Sequence, residues 1–407
     1  MRLGMKSDYL PITSVATIIS GGTPKTSIPD YWDGNIPWLS VKDFNNDSKF
    51  VYSTEKRITE LGLKNSSTNL LKADDIIISA RGTVGKLAMI PFNMTFNQSC
   101  FGIRADIEKI LPHYLYYALK NNIQTIKCST HGSVFDTITL KDFDIIKINV
   151  PNLETQKKVV KVLSVLDQKI ELNNQQNDTL FNIIKSIFRQ QFYQKGSDCP
   201  LSDYILTEIN GDWGKDKKED GTEKVYCIRG ADIPDMEYGY KGNAPNRFVL
   251  EKRLEKKSLS EDDIIIEISG GSPTQSTGRT AYITQEIIDM YDAPLLCTNF
   301  CKAIKVKDRI FAPFIYMYLK LLYEDDILFN WENGTTGIKN LALSSLLFNT
   351  KVQPFSKKEV KRFYDQFYSI VNKISENSAN NMDLIQMRDT LLPKLMSDKI
   401  NLGNVNL

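Results

Sequence analysis

At 407 residues and 42% apolar content, the chain is too long for one ordinary domain and rich enough in apolar side chains for two separate cores. Its formal net charge of +2 is uneven, about +6 over residues 1–195 and about −4 over 196–407. This excludes a basic tail, so a nucleic-acid partner would have to be met by cations gathered on particular loops. No apolar run approaches the roughly 18 residues of a membrane span, and MRLGMKSDYL has no hydrophobic signal core, so a soluble cytoplasmic protein is expected. The six cysteines, Cys100, Cys128, Cys199, Cys227, Cys297 and Cys301, are scattered apart from one C-x-x-x-C and are expected to be reduced thiols.

Taken in chain order, the elements come twice. TIISGGTPKTSIPDYWDGNIPWLSVKD (17–43) opens with a Gly-Gly-Thr-Pro turn and ends in a strand-like run at Asp43; KVYCIRGADI (224–233) ends likewise at Asp232. LKADDIIISARGTVGKLAMI (71–90) is matched by LSEDDIIIEISGGSPTQSTGRTAYI (259–283). Each has acidic residues, Ile-Ile-Ile and a Gly-rich polar loop that closes on Lys86 or Arg279. FNQSCFGIRAD (96–106) and CTNFCKAIKVKD (297–308) follow, each before a helix-like aromatic run, ILPHYLYYALKNN (110–122) and IFAPFIYMYLKLLY (310–323), expected to pack in a core. STHGSVFDTI (129–138) and WENGTTGIKNL (331–341) complete the copies. A fixed self-similarity of this length means one repeated mixed α/β unit. The boundaries expected are 1–152 for the first unit, 153–195 for a long helix, 196–353 for the second unit, and 354–407 for a second long helix and tail.

The long helices carry a quantitative signal. Val159, Leu163, Leu166, Ile170, Asn173, Asn177, Leu180, Ile184 and Ile187 follow alternating steps of four and three. Phe363, Phe367, Ile370, Ile374, Asn377, Asn381, Leu384, Arg388 and Leu391 repeat those steps. Even the two mid-seam asparagines recur. A helix of some 36 residues would be roughly 54 Å long. An antiparallel pairing would bring Asn173 to Asn381 and Asn177 to Asn377, where buried amide pairs fix register at some cost in stability. The fold class expected is therefore α+β: two repeated mixed α/β domains separated by two long helices packed as an antiparallel coiled coil, with pseudo-twofold symmetry.

Catalytic constellations fail in turn. GGSPTQSTGRT (270–280) departs from the phosphate-binding G-x-x-x-x-G-K-[ST] in spacing and has Arg279 in place of Lys. Gly82-Thr83-Val84-Gly85 matches a G-x-x-G backbone clamp over only four residues. His113 and His131 are the only histidines, too few for a duplicated triad; His113 reads as a satisfied structural residue and His131 as a polar reader in a turn. Cys297 and Cys301 have no second close pair to complete a metal site. The Asn/Asp-Pro-Pro-aromatic tetrad of amino-methyltransferases is absent, and PDMEYGYK (234–241) has the wrong order for a nuclease cluster. No catalysis, metal or cofactor is expected in this chain.

ISGGTPKTSIPDYWDGNIPWLSVKD, DDIIISARGTVGKLAMI, PNLETQKKVVKVLSVLDQKIELNNQ and RDTLLPKLMSDKI (388–400), in that order, resemble the specificity (DNA recognition) subunit of type I restriction-modification systems, and the resemblance spans nearly the whole chain. It implies two target-recognition domains, each reading half of a split DNA sequence, with helices that set the spacing. It also implies double-stranded DNA, two adenine methyltransferase subunits using S-adenosylmethionine, and a motor-nuclease subunit as partners. The second copy departs from the family opening, since LTEINGDWGKDKKEDGTEKVY (206–226) lacks Gly-Gly-Thr-Pro. Base edges are read by Arg or Lys on guanine, Asn or Gln on adenine, and apolar contact with the thymine methyl. The expected DNA contacts in the first domain are Thr23, Lys25, Thr26, Lys42, Arg81, Thr83, Lys86, His131 and Ser133. In the second they are Lys215, Lys217, Arg229, Gln275, Ser276, Arg279, Thr335, Thr336 and Lys339. Two other classes compete: a coiled-coil interaction scaffold that reads no sequence, and an enzyme with duplicated active sites, which is disfavoured because catalytic residue types do not recur at matching places.

Overall fold

Asp-Asp-Ile-Ile-Ile occurs at residues 74–78 and again at 262–266, and both times it turns into the inner strand of a four-stranded sheet. The computed structural model describes residues 8–44, 48–123, 137–193, 199–272, 275–334 and 339–397. It divides into two compact units, Met1–Glu171 with Asp383–Leu407, and Leu172–Met382.

In the first unit an antiparallel sheet runs in the order Ala16–Ser20, Cys100–Ala105, Ile76–Ser79, Leu87–Met89. Strand periodicity sends Ile76 and Ile78 to one face and Ile77 to the other. The first face packs on the helix Pro112–Asn121 through Tyr114, Leu115 and Tyr117, and on Val159, Leu163, Leu392 and Leu395 of the long helices. The second packs with Leu39 and Phe96 of a smaller sheet ordered Lys56–Ile58, Trp32–Leu39, Thr95–Phe96, whose last pair is parallel. Burial on both faces is why the inner strand is apolar throughout instead of alternating. Asp8–Pro11 pairs with Lys147–Val150, which leads into the first long helix, Leu153–Gln191.

The second unit repeats this order. Its main sheet is Ile205–Asn210, Cys301–Val306, Ile264–Glu267, Thr280–Tyr282, and its smaller one Asn246–Leu250, Thr222–Ile228, Leu295–Cys297. Ile264 and Ile266 face the helix Ala312–Glu324, and Ile265 faces the opposite core. Finer details recur. Asp74 and Asp262 take left-handed φ of 68° and 70°, which aspartate tolerates better than most residues. The next residues, Asp75 and Asp263, are buried and paired with Arg104 at 2.6 Å and Lys305 at 2.7 Å. Hydrogen bonding to Asp75 holds the Arg104 guanidinium above its usual range. One feature has no counterpart among the described residues of the first unit: a three-stranded sheet of Ser269–Gly270, Lys339–Leu341 and Glu332–Asn333.

The second long helix is Lys357–Met396. Within the second unit its segment runs antiparallel to that of the first helix. Asn173 donates to Asn381 at 2.8 Å and to Asn380 at 3.0 Å, while Asn377 donates to Asn177 at 2.8 Å and to Gln176 at 3.0 Å. PDMEYGYK, which as a catalytic cluster has the wrong spacing, packs onto these helices. Tyr240 Oη donates to Asn174 and accepts from Asn381, and Ser378 donates to the Tyr238 carbonyl, while Glu237 pairs with Lys320 of the helix Ala312–Glu324.

In the first unit the equivalent loop docks through a buried charge cluster. Lys49 lies 3.7 Å from Asp167 and donates to Tyr117 Oη at 3.0 Å; Tyr117 donates to Asp167, and Arg388 reaches the same carboxylate at 3.0 Å. Arg388, a polar break in the expected seam, is thus held by an acid that directly follows a seam position of the other helix, Leu166. His113 is less satisfied than its sequence setting implies. Its Nε2 faces Asp74 at 3.5 Å, but buried Nδ1 has no hydrogen-bond partner among the described residues, and burial lowers its pKa.

Two predictions follow from this packing. Asn177→Leu alone takes from the buried Asn377 amide its shorter hydrogen bond and should cost about 1–3 kcal/mol in denaturant unfolding, whereas Asn177→Leu with Asn377→Leu should recover most of that loss. Burial lowers Lys49 to about 8 against the opposing pull of Asp167. Between that value and 10.5 the unfolded chain binds more protons, so wild-type stability should rise with pH over this window relative to Lys49→Met, and the two should run parallel below pH 8; urea unfolding across pH 7–10.5 measures this.

Candidate nucleic-acid interface

The Gly-Gly-Thr-Pro turn owes its first glycine to close packing. A Cβ on Gly21 would stand 2.0 Å from the Asn97 carbonyl oxygen, so only glycine lets the turn lie against the Phe96–Asn97 backbone, where Gly22 N–H donates to Phe96 O at 3.0 Å. Trp38 Nε1 donates to Gly22 O at 3.0 Å and clamps the turn from below. The second copy keeps this device without the motif. A Cβ on Gly211 would meet Thr298 O at 1.9 Å, and Asp212 N–H donates to Cys297 O at 2.8 Å. The glycine therefore serves backbone packing in both copies.

The neighbouring turns repeat as well. Ser40 N–H donates to Asp43 at 2.6 Å and Arg229 N–H donates to Asp232 at 2.9 Å, so the two matched aspartates cap equivalent turns. Ala80 and Arg81 N–H groups share Ser99 O at 2.7 and 3.2 Å; Ile268 and Ser269 share Phe300 O at 2.8 and 3.2 Å. These main-chain bonds set the correspondence of side chains: Thr23 with Trp213, Ser40 with Arg229, Arg81 with Ser269, and Ser99 with Phe300.

In the first unit these turns surround an open cleft of about 400 Å³ lined by Trp38, Lys42, Asp43, Lys56, Arg81, Gly82 and Asn97. Of the residues singled out from sequence, Lys42 and Arg81 line the cleft and Thr23 reaches its edge by donating to Gln98, next to Asn97. Lys25 and Thr26 are exposed on the turn. Thr83 sits at the tip of a hairpin that bends at Gly82 and Gly85, with φ of 79° and 83°, and that Ser79 closes by accepting Lys86 N–H at 2.8 Å. Arg81, Lys25 and Lys86 have no acidic partner within 4 Å among the described residues; Lys42 meets Glu55 only at 3.8 Å with both side chains largely exposed. His131 and Ser133 lie outside the described residues.

The second unit spends its cations differently. Arg279 is bonded through two nitrogens to Glu267, at 2.7 and 2.9 Å, and these bonds hold its pKa above the usual range. Arg229 makes a similar fork to Asp232 at 3.0 Å on each side and also donates to Asn243 O at 2.7 Å. Burial opposes ionisation of Asp232, yet Arg229 and two backbone N–H groups hold it below the ordinary carboxylate range. Lys339 pairs with Glu332 at 2.7 Å, and Lys215 with Glu219. Gln275 is exposed and donates to Tyr323 Oη at 2.9 Å, and Lys217 is exposed without an acidic partner among the described residues. Ser276 is 2% exposed, so it stands away from the surface that a reading residue needs. Thr335 and Thr336 lie outside the described residues.

Reading polar side chains alone missed Trp213 and Phe300, which are 39% and 54% exposed on the same turns. Aligning the copies at Gly21 and Gly211 would have found them. Cys100, Cys227, Cys297 and Cys301 are buried free thiols and Cys199 is a partly exposed one. Among the described residues no helix is long and apolar enough to cross a membrane, and no cluster of His, Cys, Asp and Glu is placed to hold a metal ion.

Residues 6–182 match the family described as the type I restriction modification DNA specificity domain. The type I restriction enzyme MjaIX specificity subunit of Methanocaldococcus jannaschii is 27% identical over 96% of this chain and 92% of its own length. The EcoR124I/EcoR124II specificity subunit of Escherichia coli is 33% identical over 36% of this chain and 37% of its own. Among solved structures, the type I restriction-modification S subunit from M. genitalium is 18% identical with a TM-score of 0.48, covering 97% of both chains. Residues 6–182 thus match the DNA specificity domain, and along almost its whole length the chain is similar to specificity subunits of type I restriction-modification systems.

Proposed function

We propose that this chain supplies the DNA address of a type I restriction-modification complex. Each α/β unit reads one half of a split target, and the two long helices set the spacing between halves and dock two adenine methyltransferase subunits. The observation that carries this reading is the contrast at the turns: the main-chain bonds of Ala80, Arg81 and Ser99 recur at Ile268, Ser269 and Phe300, while the side chains above them differ. A scaffold duplicated in its backbone and divergent in its loops suits two unlike half-sites.

The reading residues fall in two sets. Thr23, Lys25, Thr26, Lys42, Arg81, Thr83 and Lys86 serve the first half-site, with Arg81 suited to a guanine edge and the lysines to phosphates. Lys217 and Gln275 serve the second, while the ion-paired Arg229, Arg279, Lys215 and Lys339 hold their loops in shape. Two domains reading successive major grooves would meet faces about 34 Å apart along the duplex. The seams of the long helices, with asparagines paired at 2.8 Å, support a stiff antiparallel coiled coil as the spacer. Methyl transfer belongs to the partner subunits, which bind S-adenosylmethionine and draw the target adenine out of the stack. A motor-nuclease subunit completes the restriction form of the complex. This chain performs no catalysis.

Co-expression with an adenine methyltransferase subunit, followed by mapping of methylated adenines on a random DNA library, tests the reading. One bipartite motif is expected, and methylation without sequence preference would mean that the chain is an interaction scaffold. Arg81→Ala should cost about 1–3 kcal/mol of discrimination at one position of one half-site and leave subunit assembly intact; equal loss of assembly would remove Arg81 from the reading set.

A further inference from the structure

In the second unit the turns that frame the first unit's cleft present aromatic rings. Trp213 takes the place of Thr23 and Phe300 that of Ser99, and the two turns lie backbone to backbone at Gly211 and Thr298. Neither ring is consumed by the core. Phe300 is 54% exposed, and Trp213 is 39% exposed with the Arg247 guanidinium 4.4 Å over its ring and Arg247 Nε donating to its carbonyl at 2.9 Å. That stack fixes the indole and uses the cation. Asn299, next to Phe300 in the chain, is exposed as well.

Most cations near these turns are committed to acids: Arg229 to Asp232, Arg279 to Glu267, Lys339 to Glu332. Sequence discrimination there must come from something other than free charge. An A·T pair shows the major groove an adenine edge that an Asn amide reads with two hydrogen bonds, and a thymine methyl that takes apolar contact. Asn299 together with the exposed rings of Trp213 and Phe300 has that chemistry. We propose that Trp213 and Phe300 are base-contacting residues of the second domain, laid against thymine methyl groups of its half-site beside an adenine held by Asn299. The inference rests on the DNA-reading function proposed above.

The test uses the full chain in complex with its methyltransferase subunits, first to map the wild-type bipartite motif and then to measure duplex binding. Trp213→Ala keeps the backbone carbonyl that Arg247 holds, and Phe300→Ala removes an exposed ring, so both should fold and assemble. Each should weaken binding about ten-fold, roughly the value of one good base contact, and relax an A·T preference in the second half-site only. The salt dependence should be unchanged, because no phosphate contact is lost. Replacing thymines of that half-site one at a time by deoxyuridine, which lacks the methyl, should weaken wild-type binding at one position and have no further effect on Phe300→Ala; Phe300→Leu should keep the sensitivity. A wild-type complex that reads both half-sites while both alanine variants keep the second half-site's specificity would overturn the inference alone, as would a deoxyuridine effect that persists undiminished in Phe300→Ala. A wild-type complex with no bipartite motif would overturn the function reading and the inference with it.

Discussion

A side-chain amide buried in an apolar helix seam has one acceptable register, the one that gives it a partner. Asn173 with Asn381 and Asn177 with Asn377 supply that constraint in the second unit, and a slip of one heptad would part all four amides from their partners in a buried contact. An all-leucine seam would be more stable and would tolerate several registers. Because Tyr240 bonds to both Asn174 and Asn381, the loop that carries it is placed by the same choice. Register therefore fixes more than the helices: it fixes where the second unit's turns begin.

Above that base, main-chain interactions do most of the positioning. The close approaches at Gly21 and Gly211, the shared carbonyls of Ser99 and Phe300, and the capping carboxylates of Asp43 and Asp232 depend hardly at all on neighbouring side chains. Thr23 can become Trp213 and Arg81 can become Ser269 without disturbing them. A loop held by its backbone can change what it displays at little cost in stability, which is the property a reader of varied targets requires.

The repeat was legible because buried strands and helix seams impose strict patterns. Ile-Ile-Ile after Asp-Asp, the aromatic helices, and the steps of four and three all mark positions where burial leaves little choice. The paired asparagines were legible for the same reason, since a polar residue recurring in an apolar stripe demands a partner. The loops were read less well. Arg279 and Arg229 looked like free cations, but the acids that claim them, Glu267 and Asp232, are seen to do so only once the hairpin and the capped turn are built. Ser276 sits in a polar stretch and yet is buried, next to Thr277, whose N–H donates to Glu332 at 2.6 Å. PDMEYGYK was read for catalytic spacing, whereas its tyrosines and Glu237 serve contact with helices.

The two units also divide the electrostatic labour unequally. Around the first cleft, Arg81, Lys25 and Lys86 have no acidic partner among the described residues, and the half of the chain that carries them is net positive. Free cations are drawn to any polyanion, so this unit supplies attraction that salt weakens. In the second half, net negative, Arg229, Arg279, Lys215 and Lys339 are paired with acids, and the turns matched to the first cleft expose Trp213 and Phe300. Such surface gains nothing from the phosphate field at long range; it discriminates only after the base edges are within contact distance. On the DNA-reading function proposed above, one scaffold would meet the same kind of partner in two physically different ways, a distinction that net charge over the whole chain, at +2, conceals.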